Sequence, residues 1–167
     1  MRTPDTTDFR HQIVALLPRL RRFAFALTGN QANADDLVQT ACEKALRREH
    51  QWRPGTRLDS WMFRIIRNLR IDEARSLRER RPHLPLAESV VSSREKNGEI
   101  RMEARLTLDY VAGAMKRLTE NDRLVLSLVC VDGRSYQEAA DTLAIPVGTV
   151  MSRLARARCK LHKIVYN

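Results

Sequence analysis

The sequence predicts an all-α fold of two small helical domains joined by a flexible linker, and three observations predict it. Apolar residues recur three and four positions apart through nearly every segment of the 167-residue chain, the spacing that builds one buried stripe along a helix. No strand-like alternation persists. Between residues 82 and 98 the composition shifts to two prolines, a Ser-Ser pair and Asn-Gly with few large apolar groups, the signature of a linker. The expected boundaries are therefore 1–81, 82–99 and 100–167, and an apolar content of 43% suffices for real cores.

Taken in order, the first helix starts from Asp8 as N-cap and carries Ile13, Leu16 and Leu17 to Pro18. Pro18 is expected to open a second helix, where its missing N–H is harmless, and Leu20, Phe23, Ala24 and Leu27 continue the stripe until Gly29 stops it. The next helix is expected from about Ala34 to His50, with Asp35 and Asp36 in its first turn, where carboxylates suit the positive end of the helix dipole. A turn, QWRPGTR, spans 51–57. Residues 58–80 read as one long amphipathic helix, with Leu58, Met62, Ile65, Ile66, Leu69 and Ala74 inward and Arg64, Arg67, Arg70, Arg75 and Arg78 mostly elsewhere.

Beyond the linker, helices are expected over 100–117 and Asn121–Val131, followed by a turn at Asp132-Gly133. Ser135 and Glu138 form a capping-box pattern that opens the penultimate helix. Ala140, Ala144 and Val150 have the spacing at which two helices cross closely around a short turn, and Pro146 falls where a first helical residue belongs. In the last helix Val150, Leu154, Ala157, Leu161 and Ile164 make one stripe, while Thr149, Ser152, Arg153, Arg156, Lys160 and Lys163 make a second face beside it.

Charge is the strongest functional signal. The net charge is +10, and residues 53–81 (nine basic, four acidic) and 147–167 (five basic, none acidic) hold +5 each, which leaves the rest neutral. Two separated basic segments imply two contact surfaces for a polyanion. A packing stripe beside a basic face on the second of two crossed helices is how a recognition helix enters a DNA major groove.

Other classes are disfavoured. Cys42, Cys130 and Cys159 are three scattered cysteines, which argues against a disulfide framework and for a reducing compartment. Cys159 and His162 form a lone C-x-x-H without the second pair a zinc site needs. No segment approaches the roughly 18 uninterrupted apolar residues of a membrane span, and no secretory leader pattern begins the chain, so a cytoplasmic protein without membrane insertion is expected. There is no Gly-rich phosphate loop, metal-ligand spacing or clustered catalytic acid set. The chain is therefore expected to be no enzyme and to need no cofactor or metal.

Three stretches together carry a family resemblance: ADDLVQ at 34–39, LDSWMFRIIRNLRIDEAR at 58–75, and SYQEAADTLAIPVGTVMSRLARAR at 135–158. In order and spacing they resemble the extracytoplasmic-function sigma factors, promoter-recognition subunits of bacterial RNA polymerase. Residues 9–80 are similar to the family's region two and 106–164 to its region four, and FAFALTGNQANADDLVQ (23–39) followed by EAADTLAIPVGTVMSRLARAR (138–158) resembles the general-stress branch.

The resemblance implies that Asp35, Asp36, Leu37 and Gln39 dock on core RNA polymerase, although Thr40 stands where the family commonly has an acid. It implies that Arg57, Arg64, Arg67, Asn68 and Arg75 read the minus-ten element, with 51–57 as the loop that captures an unstacked base. Trp61 is expected in the core, and Trp52 is open between core and stacking. Thr149, Ser152, Arg153, Arg156, Arg158 and Lys160 are implied for the minus-thirty-five element, with Met151 where a basic residue is frequent. Promoter DNA, core polymerase and an anti-sigma factor are the implied partners. The rival reading is a helix-turn-helix regulator that binds operator DNA without polymerase; a second basic surface at 58–80 is superfluous to it.

Overall fold

The computed structural model describes residues 6–80 and 110–166. The expected linker, 82–99, and the start of the helix expected from residue 100 lie outside the described residues. Seven helices follow in order: α1 (Thr6–Thr28), α2 (Gln31–Arg47), α3 (Leu58–Arg80), α4 (110–116), α5 (Glu120–Leu126), α6 (Tyr136–Leu143) and α7 (Val147–Tyr166), and no strand occurs among the described residues. A 3-10 turn, Glu49–Gln51, follows α2, and a π-helical turn, Ser127–Val131, extends α5.

α1 is one continuous helix with Pro18 inside it, not two helices meeting there. A proline at that position deprives the Val14 carbonyl of its helical donor. Val14 and Pro18 both face solvent, where water can satisfy the freed carbonyl. The buried stripe Phe9, Ile13, Leu20, Phe23, Ala24 and Leu27 passes the proline unbroken, so packing outweighs the local cost. Gly29 ends α1 as expected, at φ 64°.

α2 starts three residues earlier than Ala34. The Asn30 side chain accepts from the Asn33 N–H at 3.0 Å, an N-cap that asparagine favours, and Asp35 and Asp36 consequently sit in the second turn. α2 also stops at Arg47, short of His50. α3 keeps the expected bounds; Met62 and Ile66 are fully buried, with Ile65 and Leu69 partly so. Phe63 joins them, its ring edge-on to Phe23 with centroids 4.6 Å apart.

The second group of helices packs on the first, and one buried apolar cluster runs from α1–α3 into α4–α7. Two polar devices stitch them. Arg123 on α5, nine-tenths buried, donates to the carbonyls of Leu27 (2.6 Å), Met115 (2.9 Å), Lys116 (2.9 Å) and Leu118 (3.1 Å). It thereby satisfies the orphan carbonyls that end α1 and α4. Burial lowers the pKa of this guanidinium from the ordinary arginine value, with nearby Arg70 adding to the effect and Glu120 opposing it.

The second device is a quartet of two carboxylates and two arginines, its Asp59, Asp132 and Arg134 side chains buried and Arg19 one-third exposed at its edge. Asp132 accepts from Arg19 Nε (3.0 Å) and Nη2 (2.9 Å) and from Arg134 Nε (3.0 Å). Asp59 pairs with Arg134 Nη2 at 2.7 Å and Arg19 Nη1 at 3.3 Å, and also accepts from Arg57 Nη2 at 3.0 Å and the Ser60 N–H at 2.7 Å. The Arg134 guanidinium carbon lies 4.8 Å from the Phe63 ring centroid, a cation–π contact. Removing one member of such a set leaves a buried charge unpaired and costs about 3–5 kcal/mol.

The α6–α7 corner follows the expected capping box: Ser135 Oγ accepts from the Glu138 N–H at 3.2 Å, while the Glu138 carboxylate accepts from the Ser135 N–H at 2.9 Å. Ala140 and Val150 are buried at the crossing, but Ala144 is exposed and left-handed, φ 52°. It ends α6 in the place glycine usually takes, and Ala139 and Leu143 supply the small and apolar contacts instead. Pro146 sits one residue before α7, its carbonyl accepting from the Val150 N–H at 3.2 Å.

Two outcomes follow from these geometries. Ala144→Gly should stabilise the chain by up to ~1 kcal/mol, because a Cβ in the left-handed region is strained; chemical denaturation checks this, and a loss of stability would contradict it. For Asp59, burial raises the pKa, but hydrogen bonding to Arg57 and the charge of Arg134 outweigh it and hold the carboxyl below its ordinary value. Its stabilisation is therefore complete above the unfolded value of about 3.9 and is lost as pH falls through the lower folded value. Asp59→Asn should abolish this part of the acid dependence in pH-jump unfolding.

Candidate nucleic-acid interface

Three groups of polar residues stand clear of the core. On α2, Asp36 and Gln39 are exposed, with Gln39 Nε2 donating to Glu43 at 3.2 Å. Asp35 is half-buried and paired with Arg21 at 3.3 Å, and Leu37 is turned into the core at 9% exposure. Of the four residues expected to dock polymerase, only Asp36 and Gln39 present side chains freely.

The second group follows α3. Arg57, Arg64, Asn68 and Arg75 are spaced seven, four and seven residues apart and all are exposed, which sets them along one face; Arg67 is half-buried to one side. At the start of this face lies a cavity of about 300 Å³ lined by Gln51, Trp52, Arg53, Arg57, Trp61 and Arg64, with Thr56 and Ser60 completing it. That volume is at the lower end for small-ligand pockets. Phe9 braces both tryptophans from behind, with centroids 5.2 Å from Trp52 and 6.2 Å from Trp61. Trp61 thus combines the expected packing role with a pocket wall. The Trp52 Nε1–H is buried and has no hydrogen-bond acceptor among the described residues.

The third group is on α7, where Val150, Leu154 and Ala157 are buried and Leu161 is partly so. Beside this stripe Ser152 and Arg156 are exposed and Thr149, Arg153 and Lys160 half-exposed. Arg158 departs from the group: two residues from Arg156 it points to the other flank of the helix, where its Nη2 meets Cys130 Sγ at 3.8 Å.

Sequence reasoning missed the acid that controls this face. Asp122 on α5 is 2% exposed and pairs with Arg156 Nε at 3.4 Å and Lys160 Nζ at 3.3 Å. The one available signal was a pair of cations four residues apart with no acid on their own helix. Among the described residues no group of three His, Cys, Asp or Glu is arranged to hold a metal, and no helix is long and apolar enough to cross a membrane.

Helical throughout its described residues, with an exposed row of cations beside an aromatic-walled pocket and a crossed helix pair ending in a basic helix, the chain has the make-up of a DNA-binding transcription protein. Residues 13–67 match the family model described as the sigma2 domain of PhyR, and residues 108–161 match sigma-70 region 4. The chain is 36% identical to the sigma factor EcfG of Rhodopseudomonas palustris over 98% of its own length and 88% of that protein. It is 30% identical to the sigma factor HrpL of Pseudomonas syringae, covering 96% of this chain and 89% of that one.

Among solved structures, the sigma factor RpoE in complex with the anti-sigma factor NepR from Bartonella quintana shares a TM-score of 0.75 and 26% identity, covering 95% and 96% of the two chains. The protein CnrH, in complex with the cytosolic domain of CnrY, shares a TM-score of 0.70 at 26% identity, covering 94% and 86%. The chain belongs to the extracytoplasmic-function family of RNA polymerase sigma factors.

Asp122 pairs with two cations of the α7 basic face. Asp122→Asn should free them, raising duplex affinity at low salt and steepening the slope of log K against log salt by about 0.9 for each cation released. An unchanged slope in a salt titration with labelled duplex would show that the pairing does not restrain them.

Proposed function

We propose that residues 1–81 dock on core polymerase and read the minus-ten element, and that 100–167 read the minus-thirty-five element, with 82–99 as the tether. The single observation that carries this is the exposed row Arg57, Arg64, Asn68 and Arg75 leading from the aromatic-walled cavity. A row of cations tracks a single-stranded backbone, and a concave aromatic site receives a base taken out of the stack. Arg67 flanks the row, and the turn at 51–57 supplies the cavity wall.

On α2, Asp36 and Gln39 make the polymerase contact, while Asp35 orients through Arg21 and Leu37 shapes the helix from beneath. On α7, Thr149 and Ser152 sit nearest the bases, Arg153 and Arg156 read them, and Lys160 holds phosphate; Arg158 contacts phosphate only after leaving Cys130. The polymerase supplies the chemistry, so the chain is no enzyme, and it acts in the cytoplasm. Both structural neighbours are held by other polypeptides, one of them the anti-sigma factor NepR, which supports an anti-sigma partner here too.

Run-off transcription with core polymerase on a promoter library tests this reading: both elements should emerge from the selected sequences. Arg153→Ala should relax preference at one position by a factor of about 5–150, the range of a lost bidentate guanine contact. Lys160→Ala should weaken all promoters alike and lower the salt slope by about 1. No core-dependent transcription would refute the reading, and equal losses across all promoters for both variants would refute the division of roles.

A further inference from the structure

Asp122 is buried on α5, yet both of its oxygens meet cations whose side chains reach solvent from α7. Oδ1 lies 3.4 Å from Arg156 Nε and Oδ2 lies 3.3 Å from Lys160 Nζ, and those two side chains are 55% and 42% exposed. The acid's own place is fixed twice over. Thr119 Oγ1 accepts from the Asp122 N–H at 3.3 Å as the cap of α5, and the next residue, Arg123, ties α5 to the carbonyls of Leu27, Met115, Lys116 and Leu118. The carboxylate is therefore a preorganised anchor, and the cations are the movable partners. Lys160, one turn beyond Arg156, takes the second oxygen, so the carboxylate cannot turn away from Arg156 without also losing the lysine.

The part of the guanidinium that Asp122 engages leaves a defined remainder. Arginine offers a side edge through Nε and an end edge between Nη1 and Nη2, and either can make two parallel hydrogen bonds to one planar partner. Asp122 approaches most closely through Nε, and Arg156 has no second hydrogen-bond or ion-pair partner among the described residues. The end edge stays open, and such a fork matches guanine O6 and N7. An arginine held in advance also loses less rotamer freedom on binding than one that is free. Arg153, on the same face, is the contrast, with no side-chain hydrogen bond or ion pair among the described residues.

We propose that Asp122 is a positioning residue for base selection: from beneath the basic face it holds the Arg156 guanidinium with its Nη1/Nη2 fork toward a guanine of the minus-thirty-five element. This rests on the base-reading role given to Arg156 above. Asp122 touches no base itself; it removes the other orientations of the side chain that does. The same carboxylate opposes the general attraction of α7 for phosphate, so its loss should raise affinity and lower selectivity together. Selectivity supplied by Arg153 does not depend on it.

The test is run-off transcription by the full chain with core polymerase, on a promoter recovered with the unaltered protein and varied one base pair at a time through the upstream element. Arg156→Ala first marks the position that Arg156 reads, where preference should fall about 5–150-fold. At that position Asp122→Asn should lower the preference for guanine roughly threefold or more, within the range by which contacting residues couple. The position marked by Arg153→Ala should keep its preference, and affinity for labelled promoter duplex should hold or rise, which a merely structural loss would not produce. In an Arg156→Lys background, which has no fork, Asp122→Asn should cost no further preference. Should the amide disturb folding, judged by circular dichroism, Asp122→Ser carries the same expectations. Preference retained at the Arg156 position, or lost equally at every position, in a folded variant would overturn the proposal. An Arg156→Ala chain with every preference intact would refute the base-reading role of Arg156, and the positioning role with it.

Discussion

Two buried carboxylates, the buried Arg134 guanidinium and the partly exposed Arg19, gathered over the Phe63 ring, decide how this molecule is put together. Asp59 and Asp132 come from different ends of the sequence, and each touches both Arg19 and Arg134. Such a set contributes little net stability compared with apolar side chains of the same size, because desolvating the charges offsets their attraction. What it contributes is a single arrangement. Any sliding of α6 across α3 strands a charge in a medium that cannot hydrate it, whereas a purely apolar seam would tolerate many registers.

The two basic surfaces share one design. Each carries its cations on a helix whose opposite side is committed to the core: Met62, Phe63 and Ile66 on α3, Val150, Leu154 and Ala157 on α7. Packing fixes the direction of the basic face, so specificity does not depend on ordering a loop. In each case an acid from another helix pairs with part of the basic row: Glu138 with Arg57, and Asp122 with Arg156 and Lys160.

Much of this was legible in the residues alone, and the failures have physical reasons. Helical period located α3, α5 and α7, the Ser135–Glu138 capping box marked the start of α6, and Gly29 marked the end of α1, because each signal is local. Pro18 misled because local cost was weighed without the buried stripe that overrides it. Ala144 misled because alanine says nothing about its own left-handed backbone. Asn30 was available as a cap and was passed over for the acids at 35 and 36. The quartet, Arg123 and Asp122 were beyond reach: a charged residue's sequence neighbours do not tell whether a partner 113 positions away, as between Arg19 and Asp132, will make burial tolerable. The basic surfaces were therefore read correctly as charge, while the acids covering them were not.

The central claim is that the two groups of helices pack as one body, held by the ionic quartet and Arg123. Spin labels at Leu46→Cys on α2 and at Cys159 on α7, both exposed, with the other cysteines removed, report the separation by dipolar spectroscopy. One narrow, short distance should dominate in the parent chain, and Arg19→Ala combined with Asp132→Asn should broaden and lengthen it. A broad, long distribution in the parent chain, or one left unchanged by the double substitution, would contradict the account.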